Sequence, residues 1–284
     1  MKLILGTAQF SQNYGIFNPS ITTNFETTKK ILNKAEDSGI LTLDTSPTYG
    51  ESQKFIGNSG FRKFRIITKI PSLKNRDFSS KYIDKFISKS LSDLNREDFY
   101  GILIHNSKDL FSKKGEFAWN YLKKLKSKGV VKKIGYSIYS PLELDELYDN
   151  FKPDIIQAPF NIFDRRINDS GWIDKLSEDK VEFHARSIFL QGLLLMPKNK
   201  IPKKFKKWQD NFDKWHNWLK KNNVSALEAC LGMVKADKRV DMALFGVKTY
   251  SELNEVIETW KKIDINIPKN LSAKDDELID PSKW

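Results

Sequence analysis

The chain has 284 residues, 39% hydrophobic and 12% aromatic, with one cysteine and a formal net charge of +12. That length suits one large α/β unit as well as two average domains, and the lone Cys230 excludes an internal disulfide and any multi-cysteine metal site, leaving it a small core residue. The basic excess is mostly lysine scattered over helical patterns, without arginine clusters or basic-aromatic platforms, which speaks against a nucleic-acid partner. No apolar run approaches the roughly 18 residues of a membrane span.

In chain order, short apolar runs alternate with longer amphipathic stretches. Leu3 to Gly6 reads as a first strand; because the chain turns polar by Thr7, the run is too short for a secretory signal, and a soluble cytoplasmic protein is expected. Asn24 to Ser38 reads as a helix with Phe25, Ile31, Leu32 and Ala35 on one face, stopped by Gly39. Ile40 to Asp44 is a second strand, followed by a turn with Pro47 and Gly50 and a short helix from Glu51 to Ile56. Arg65 to Lys69 is the third strand, and Ser80 to Leu94 a helix whose inward stripe holds Ile83, Phe86, Ile87 and Leu91.

Gly101 to His105 forms a fourth strand, with a lysine-rich helix from Glu116 to Lys128. Lys133 to Ser137 is the fifth, with Pro141 opening the next helix where its missing N–H does no harm. Asp154 to Gln157 and Val181 to Arg186 are the sixth and seventh. A basic, aromatic, insertion-like stretch follows, around 198–222, in which Phe205, Trp208, Phe212, Trp215 and Leu219 recur at helical spacing. Ser225 and Glu228 form a capping-box pattern for the helix running to Lys235. Asp241 to Gly246 is the eighth strand and Tyr250 to Trp260 its helix; the polar tail from 268 is expected to pack loosely. Eight strand-helix units point to a single-domain (β/α)8 TIM barrel over 1–284. A doubly wound dinucleotide sheet would need a G-x-G-x-x-G turn, which the segment at Gly246 lacks.

In a barrel the carboxyl ends of the strands share one face. Asp44 ends strand two, Tyr49 lies in the loop after it, Lys69 ends strand three and His105 ends strand four. A buried carboxylate needs a partner, and Lys69 is the cation placed to supply it. A lysine beside a phenol would lower its pKa, and an imidazole could donate to a substrate oxygen. Such a group is an acid aimed at a carbonyl oxygen, suited to a reduction whose hydride comes from a cofactor.

On these residues the chain resembles the aldo/keto reductase superfamily, from Leu3 to about Trp260. The motifs are Gly6-Thr7-Ala8-Gln9-Phe10, Leu43-Asp44-Thr45 with Tyr49-Gly50, Ile67-Thr68-Lys69, Ile104-His105, Gly135-Tyr136-Ser137, and Gln157 with Asn161. The resemblance implies a catalytic set with Tyr49 as general acid, Lys69 and Asp44 as its tuning pair and His105 as orienting group. It also implies an NAD(P)H-dependent reduction of an aldehyde or ketone, a small-molecule carbonyl substrate, and no metal. The implied cofactor residues are Gly6, Thr7, Asp44, Ser137, Gln157, Arg186, Ser187, Gly246, Val247 and Lys248.

Three positions depart from the pattern. Ile138 stands where the family carries asparagine. Arg186 stands where a tyrosine often stacks on the nicotinamide, and its charge would disfavour NAD⁺. The arginine for the 2′-phosphate appears as Leu253 or a neighbour, with Lys248 as a substitute, so NADPH is preferred with NADH possible. The double arginine Arg165-Arg166 reads as an ion pair with Asp164 capping a helix. Substrate choice is assigned to Gln12–Pro19, Asn106 and Pro197–Lys207, with Phe10, Tyr14 and Phe17 as an aromatic wall. A cofactor-binding regulatory subunit without turnover is the alternative. Metal-dependent hydrolysis would need clustered ligands, and the chain has only His105, His184 and His216.

Overall fold

A strand whose two faces are both apolar can bury them only between a packed interior and a layer of helices, which is how parallel sheets are built. The computed structural model describes residues 1–11, 23–73 and 80–284. In it, eight parallel strands close in chain order into one barrel. They are β1 (Leu3–Gly6), β2 (Thr42–Asp44), β3 (Arg65–Ile70), β4 (Phe99–Ile104), β5 (Val131–Ser137), β6 (Ile155–Pro159), β7 (Glu182–Arg186) and β8 (Met242–Gly246). The single-domain (β/α)8 expectation holds for these elements, with the strand ends displaced by one or two residues.

The two faces of each strand serve two cores. Ile4, Ile67, Leu103 and Ile155, with Tyr100, Met242 and Leu244 against them, form a small cluster of strand residues that packs the barrel interior. Their neighbours Leu3, Leu5, Ile66, Ile102 and Ile104 belong to the larger cluster shared with the helices. At the end of the barrel where the strands begin, Glu182 accepts from Tyr100 Oη at 2.6 Å and Lys133 Nζ at 2.7 Å, and contacts His184 Nε2 at 3.2 Å. His184 thus has a structural partner.

The helices are α1 (Phe25–Asp37), α2 (Ser52–Asn58), α3 (Ser80–Leu94), α4 (Lys113–Ser127), α5 (Leu142–Leu147), α6 (Arg166–Asp169), α7 (Trp172–Glu178), α8 (Gln209–Asn222), α9 (Ala226–Ala236), α10 (Tyr250–Lys262) and α11 (Asp276–Ile279). α1 is capped by the Asn24 side chain, which accepts from Thr27 N at 2.9 Å. α9 carries the capping box expected at Ser225 and Glu228, and α10 has a second one, Thr249 with Glu252.

Three expectations change. The aromatic stretch is not one helix: Pro202 leads in extended backbone into a 3₁₀ turn that holds Phe205 and Trp208, and α8 begins at Gln209, after Trp208 departs from helical geometry (φ −105°, ψ 24°). α8 packs closely on the loops after β6 and β7, with Phe212 and Trp215 fully buried, Phe212 edge-on to Phe163 at 5.6 Å and Trp215 Nε1 donating to Leu194 O at 3.1 Å. Between β6 and β7 lie two short helices, α6 and α7, that the apolar pattern does not announce. The tail from 268 is not loose. Leu271, Ala273, Leu278 and Ile279 are buried, Ala273 N donates to Phe163 O at 2.9 Å, and Trp284 meets the Phe205 ring edge-on at 4.9 Å. Arg165 and Arg166 hold it. Arg165 donates to Pro268 O at 3.0 Å, and Arg166 makes the expected pair with Asp164 at 2.7 Å and a second with Asp276 at 2.9 Å. Cys230 is buried in α9, as expected of a small core residue.

Among the described residues, no helix is long and apolar enough to cross a membrane. No group of three or more His, Cys, Asp or Glu among them could hold a metal ion.

Candidate active site

Strand register decides which residues meet at the carboxyl face. Gly6 is level with Asp44 on one side and with Gly246 on the other, Ser137 with Gln157, and Pro159 with Arg186. All of these except Pro159 line a cavity of about 470 Å³. It takes in each catalytic and cofactor residue expected from the sequence: Asp44, Tyr49, Lys69 and His105 on one side, Ser137, Gln157, Arg186 and Ser187 across from them, and Gly6, Thr7, Gly246, Val247 and Lys248 toward one end.

The β2–β4 side is built from buried charge. Asp44 and Lys69 are 2% and 4% exposed, and Lys69 Nζ is in direct contact with Asp44 Oδ1. The other carboxylate oxygen, Oδ2, accepts from Gln157 Nε2 at 2.7 Å, and Thr7 holds the Asp44 backbone through its N–H at 3.0 Å. A buried pair of this kind persists only when its remaining lone pairs are satisfied. Tyr49 is brought over the pair by the turn after β2: its N–H donates to Ser46 O at 3.0 Å, and Gly50 takes a left-handed φ of 55° that turns the chain into α2. Lys69 Nζ lies 5.4 Å from the centre of the Tyr49 ring, and the His105 ring meets it edge-on at 6.2 Å.

The electrostatics differ from the sequence expectation. Burial pushes the Tyr49 phenol well above its ordinary range, Asp44 pushes it further, and the opposing cation is Arg186 rather than Lys69. Lys69 is offset by the carboxylate it touches. The phenol therefore stays protonated across the physiological range. Burial, with the Lys69 charge second, pulls His105 down to about 4, so its imidazole is neutral and keeps one N–H to donate.

The β5–β8 side is polar and more open. Ile138, in the asparagine position, is fully buried, and only its backbone carbonyl reaches the site. That carbonyl accepts from Arg186 Nη2 at 2.7 Å, while Arg186 Nε donates to Ser137 Oγ at 3.2 Å and the guanidinium stacks 4.3 Å above Tyr139. The loop after β7 is wound tightly, with left-handed φ at Ser187 (54°), Leu190 (47°) and Gln191 (53°), a conformation costly without a glycine and typical of functional loops. Asn161 pins it, donating to Ser187 O at 3.1 Å. At the far end Gly246 leaves room for Gln9, since a Cβ there would come within 2.2 Å of the Gln9 amide.

A bound nicotinamide presents a carboxamide, one donor and one acceptor. Gln157 spends its amide N–H on Asp44, and its Oε1 is buried without a partner. Ser137 receives Arg186 on its oxygen and keeps its hydroxyl proton to give. The pocket thus shows an acceptor and a donor as a pair, which fits that group.

Several expected specificity residues fall elsewhere. Phe10 and Leu253 are fully buried in the core and reach no ligand. Asn106 accepts from Lys108 N at 3.3 Å, capping a 3₁₀ turn, and Pro197–Lys207 does not line the cavity. Tyr14 and Phe17, with the rest of Gln12–Pro19, lie outside the described residues. Tyr139, Glu252 and Glu255 line the cavity without having been singled out. Glu252 was legible through the T-x-x-E capping pattern; nothing in the sequence marked Tyr139.

The profile of the Aldo/keto reductase family matches residues 2–271. The chain belongs to this family. Membership supports an NAD(P)H-using oxidoreductase acting on small molecules. By sequence, no curated protein matches significantly. Among solved structures, the chain resembles the aldo-keto reductase AKR11C1 from Bacillus halodurans, a holo form, with a TM-score of 0.75 at 18% identity over 96% of this chain and 92% of that one. It also resembles the glycerol dehydrogenase AKR11B4 from Gluconobacter oxydans, with a TM-score of 0.69 at 21% identity over 93% and 88%. At such identities these two speak for the fold alone.

Proposed function

We propose that the protein reduces an aldehyde or ketone to an alcohol with NAD(P)H, with Tyr49 as the proton donor. The observation that carries this is the bridging carboxylate of Asp44, which holds Lys69 beside the phenol with one oxygen and orients the Gln157 amide with the other. Ser137 and Gln157 would hold a nicotinamide cofactor, which in its reduced form would supply the hydride for the carbonyl carbon. Tyr49 gives its proton to the carbonyl oxygen, and the neutral His105 imidazole donates a hydrogen bond that orients that oxygen. Arg186 is the cation whose field supports the phenolate that forms, while Lys69 is held beside the ring by Asp44.

For the cofactor's adenosine end we propose Gly246, Val247 and Lys248. Lys248 is the cation offered to a 2′-phosphate, but Glu252 and Glu255 line the same end. NADPH is therefore preferred by a small margin, with affinities for NADPH and NADH within about tenfold. Lys248→Gln should weaken NADPH selectively, and Glu252→Gln should strengthen it.

Titration with NADPH and NADH separately, followed by steady-state assay on a panel of aldehydes and ketones, tests the proposal. Binding followed by cofactor oxidation supports it. Tight binding without turnover on any carbonyl would favour the regulatory-subunit reading, and absence of binding would defeat both.

A further inference from the structure

Lys69 and Arg186 are the two cations nearest the reacting end of the cavity, and only one of them is neutralised. Lys69 touches Asp44. Every acceptor of Arg186 is uncharged: Ser137 Oγ at 3.2 Å, Ser187 Oγ at 3.2 Å, Ile138 O at 2.7 Å, and the face of Tyr139 at 4.3 Å. Asp164, the carboxylate whose field it shares, is taken by Arg166 in two hydrogen bonds. Among the described residues no carboxylate lies within ion-pair distance of Arg186. Its field nevertheless reaches the reacting groups, since it acts against protonation of His105 and in favour of ionised Tyr49.

Resting on the nicotinamide reading above, the geometry points to Arg186 as a redox-state selector: its uncompensated charge, one hydrogen bond from the serine that would hold the carboxamide, favours the neutral reduced nicotinamide over the cationic oxidised ring. Ser137 Oγ ties the two together. The same oxygen that accepts from Arg186 Nε has its proton left for the carboxamide, so guanidinium and ring share one hydroxyl as nearest neighbour. A second unit charge of the same sign placed in this partly screened pocket corresponds to about a tenfold change in affinity. The stack on Tyr139 and the Ile138 carbonyl hold the guanidinium in place, so it cannot simply swing into solvent.

The consequence is directional. An enzyme that releases its oxidised cofactor readily and binds the reduced form tightly is poised for reduction, and is inhibited weakly by its own spent cofactor. Arg186 is in this reading a specificity residue for the state of the cofactor rather than for the carbonyl substrate.

The test is the ratio of dissociation constants, oxidised over reduced, measured by calorimetry with matched NADP⁺/NADPH and NAD⁺/NADH on the wild type, R186Q, R186M and R186K. The wild type should favour the reduced form, R186Q and R186M should narrow the ratio by roughly tenfold, and R186K, which keeps the charge, should retain most of it. Thermal melting confirms that each variant is folded, and two neutral replacements guard against loss of either. An unchanged ratio in both neutral variants would overturn the inference, as would equal weakening of both forms, which would mean that Arg186 serves the pyrophosphate. So would an R186K that behaves like R186Q, because then hydrogen-bond geometry and not charge is at work. If the wild type binds neither form, the cofactor reading itself fails and takes this one with it.

Discussion

The two halves of the site are built on opposite plans. On the β2–β4 side, Asp44, Lys69 and Gln157 are nearly solvent-free and mutually bonded, so the proton-handling geometry exists before any ligand arrives. On the β5–β8 side, Arg186 and Ser187 are only half-buried, the loop holding them is wound through left-handed residues, and the buried side-chain oxygen of Gln157 has no partner. One half is finished by the fold; the other is completed by what binds. Asp44 and Gln157 join the two halves, since the Gln157 amide donates to the carboxylate that holds Lys69.

The comparison can be broken most sharply at Tyr49. Tyr49→Phe should lower kcat for carbonyl reduction by roughly 10²–10⁴-fold while leaving the dissociation constant of the reduced cofactor nearly intact; unchanged turnover would remove Tyr49 from its role. Lys69→Met strikes the preformed half by leaving Asp44 buried and unpaired. Chemical denaturation should show a loss of about 3–5 kcal/mol, partly recovered by adding Asp44→Asn.

A pH experiment examines the same half without mutation. His105 titrates near 4 when folded and near 6.5 when unfolded, so the unfolded chain binds the proton first. Its contribution is intact above pH 6.5 and is lost as pH falls toward 4, by up to about 3 kcal/mol, and His105→Asn should flatten that limb of the stability profile. Above neutrality the buried phenol of Tyr49 remains an acid, so kcat for reduction should stay level from about pH 6 to pH 9. The smallest effect belongs to the ligand-completed half. Gln157→Leu removes the unsatisfied acceptor and should weaken cofactor binding by about tenfold, and by calorimetry the loss should exceed any change in melting temperature.

Much of the fold was legible because buried parallel strands carry short apolar runs, as at Leu3–Leu5, Ile66–Ile67 and Ile102–Ile104, although β5 and β7 are interrupted by Lys132, Lys133, Glu182 and His184. The site residues were legible for a related reason: Asp44, Lys69 and His105 each follow such a run, and a barrel turns that sequence position into spatial proximity. Side-chain direction was not. That Arg186 would lie on Tyr139 and share Ser137 depends on packing between β5 and β7, which no local pattern encodes. Leu253 illustrates the opposite failure. Its spacing with Val256, Ile257 and Trp260 is that of a helix core stripe, and helical periodicity outweighed the motif alignment that had drawn it toward the cofactor. The tail was misjudged from its polar average, although Leu271, Leu278 and Ile279 are enough to dock it.

That docked tail is wired to the site through a single loop. Residues after 268 are synthesised after all eight strands, yet they clasp the loop following β6, through Arg165 to Pro268 O and Arg166 to Asp276, and Arg166 also braces Tyr139 O at 2.9 Å. The same loop carries Asn161, the pin of the strained turn at Ser187. Through this one loop the tail braces the face that lines the cavity, so loosening it should be felt at Ser187 and Tyr139 as well as at the tail itself.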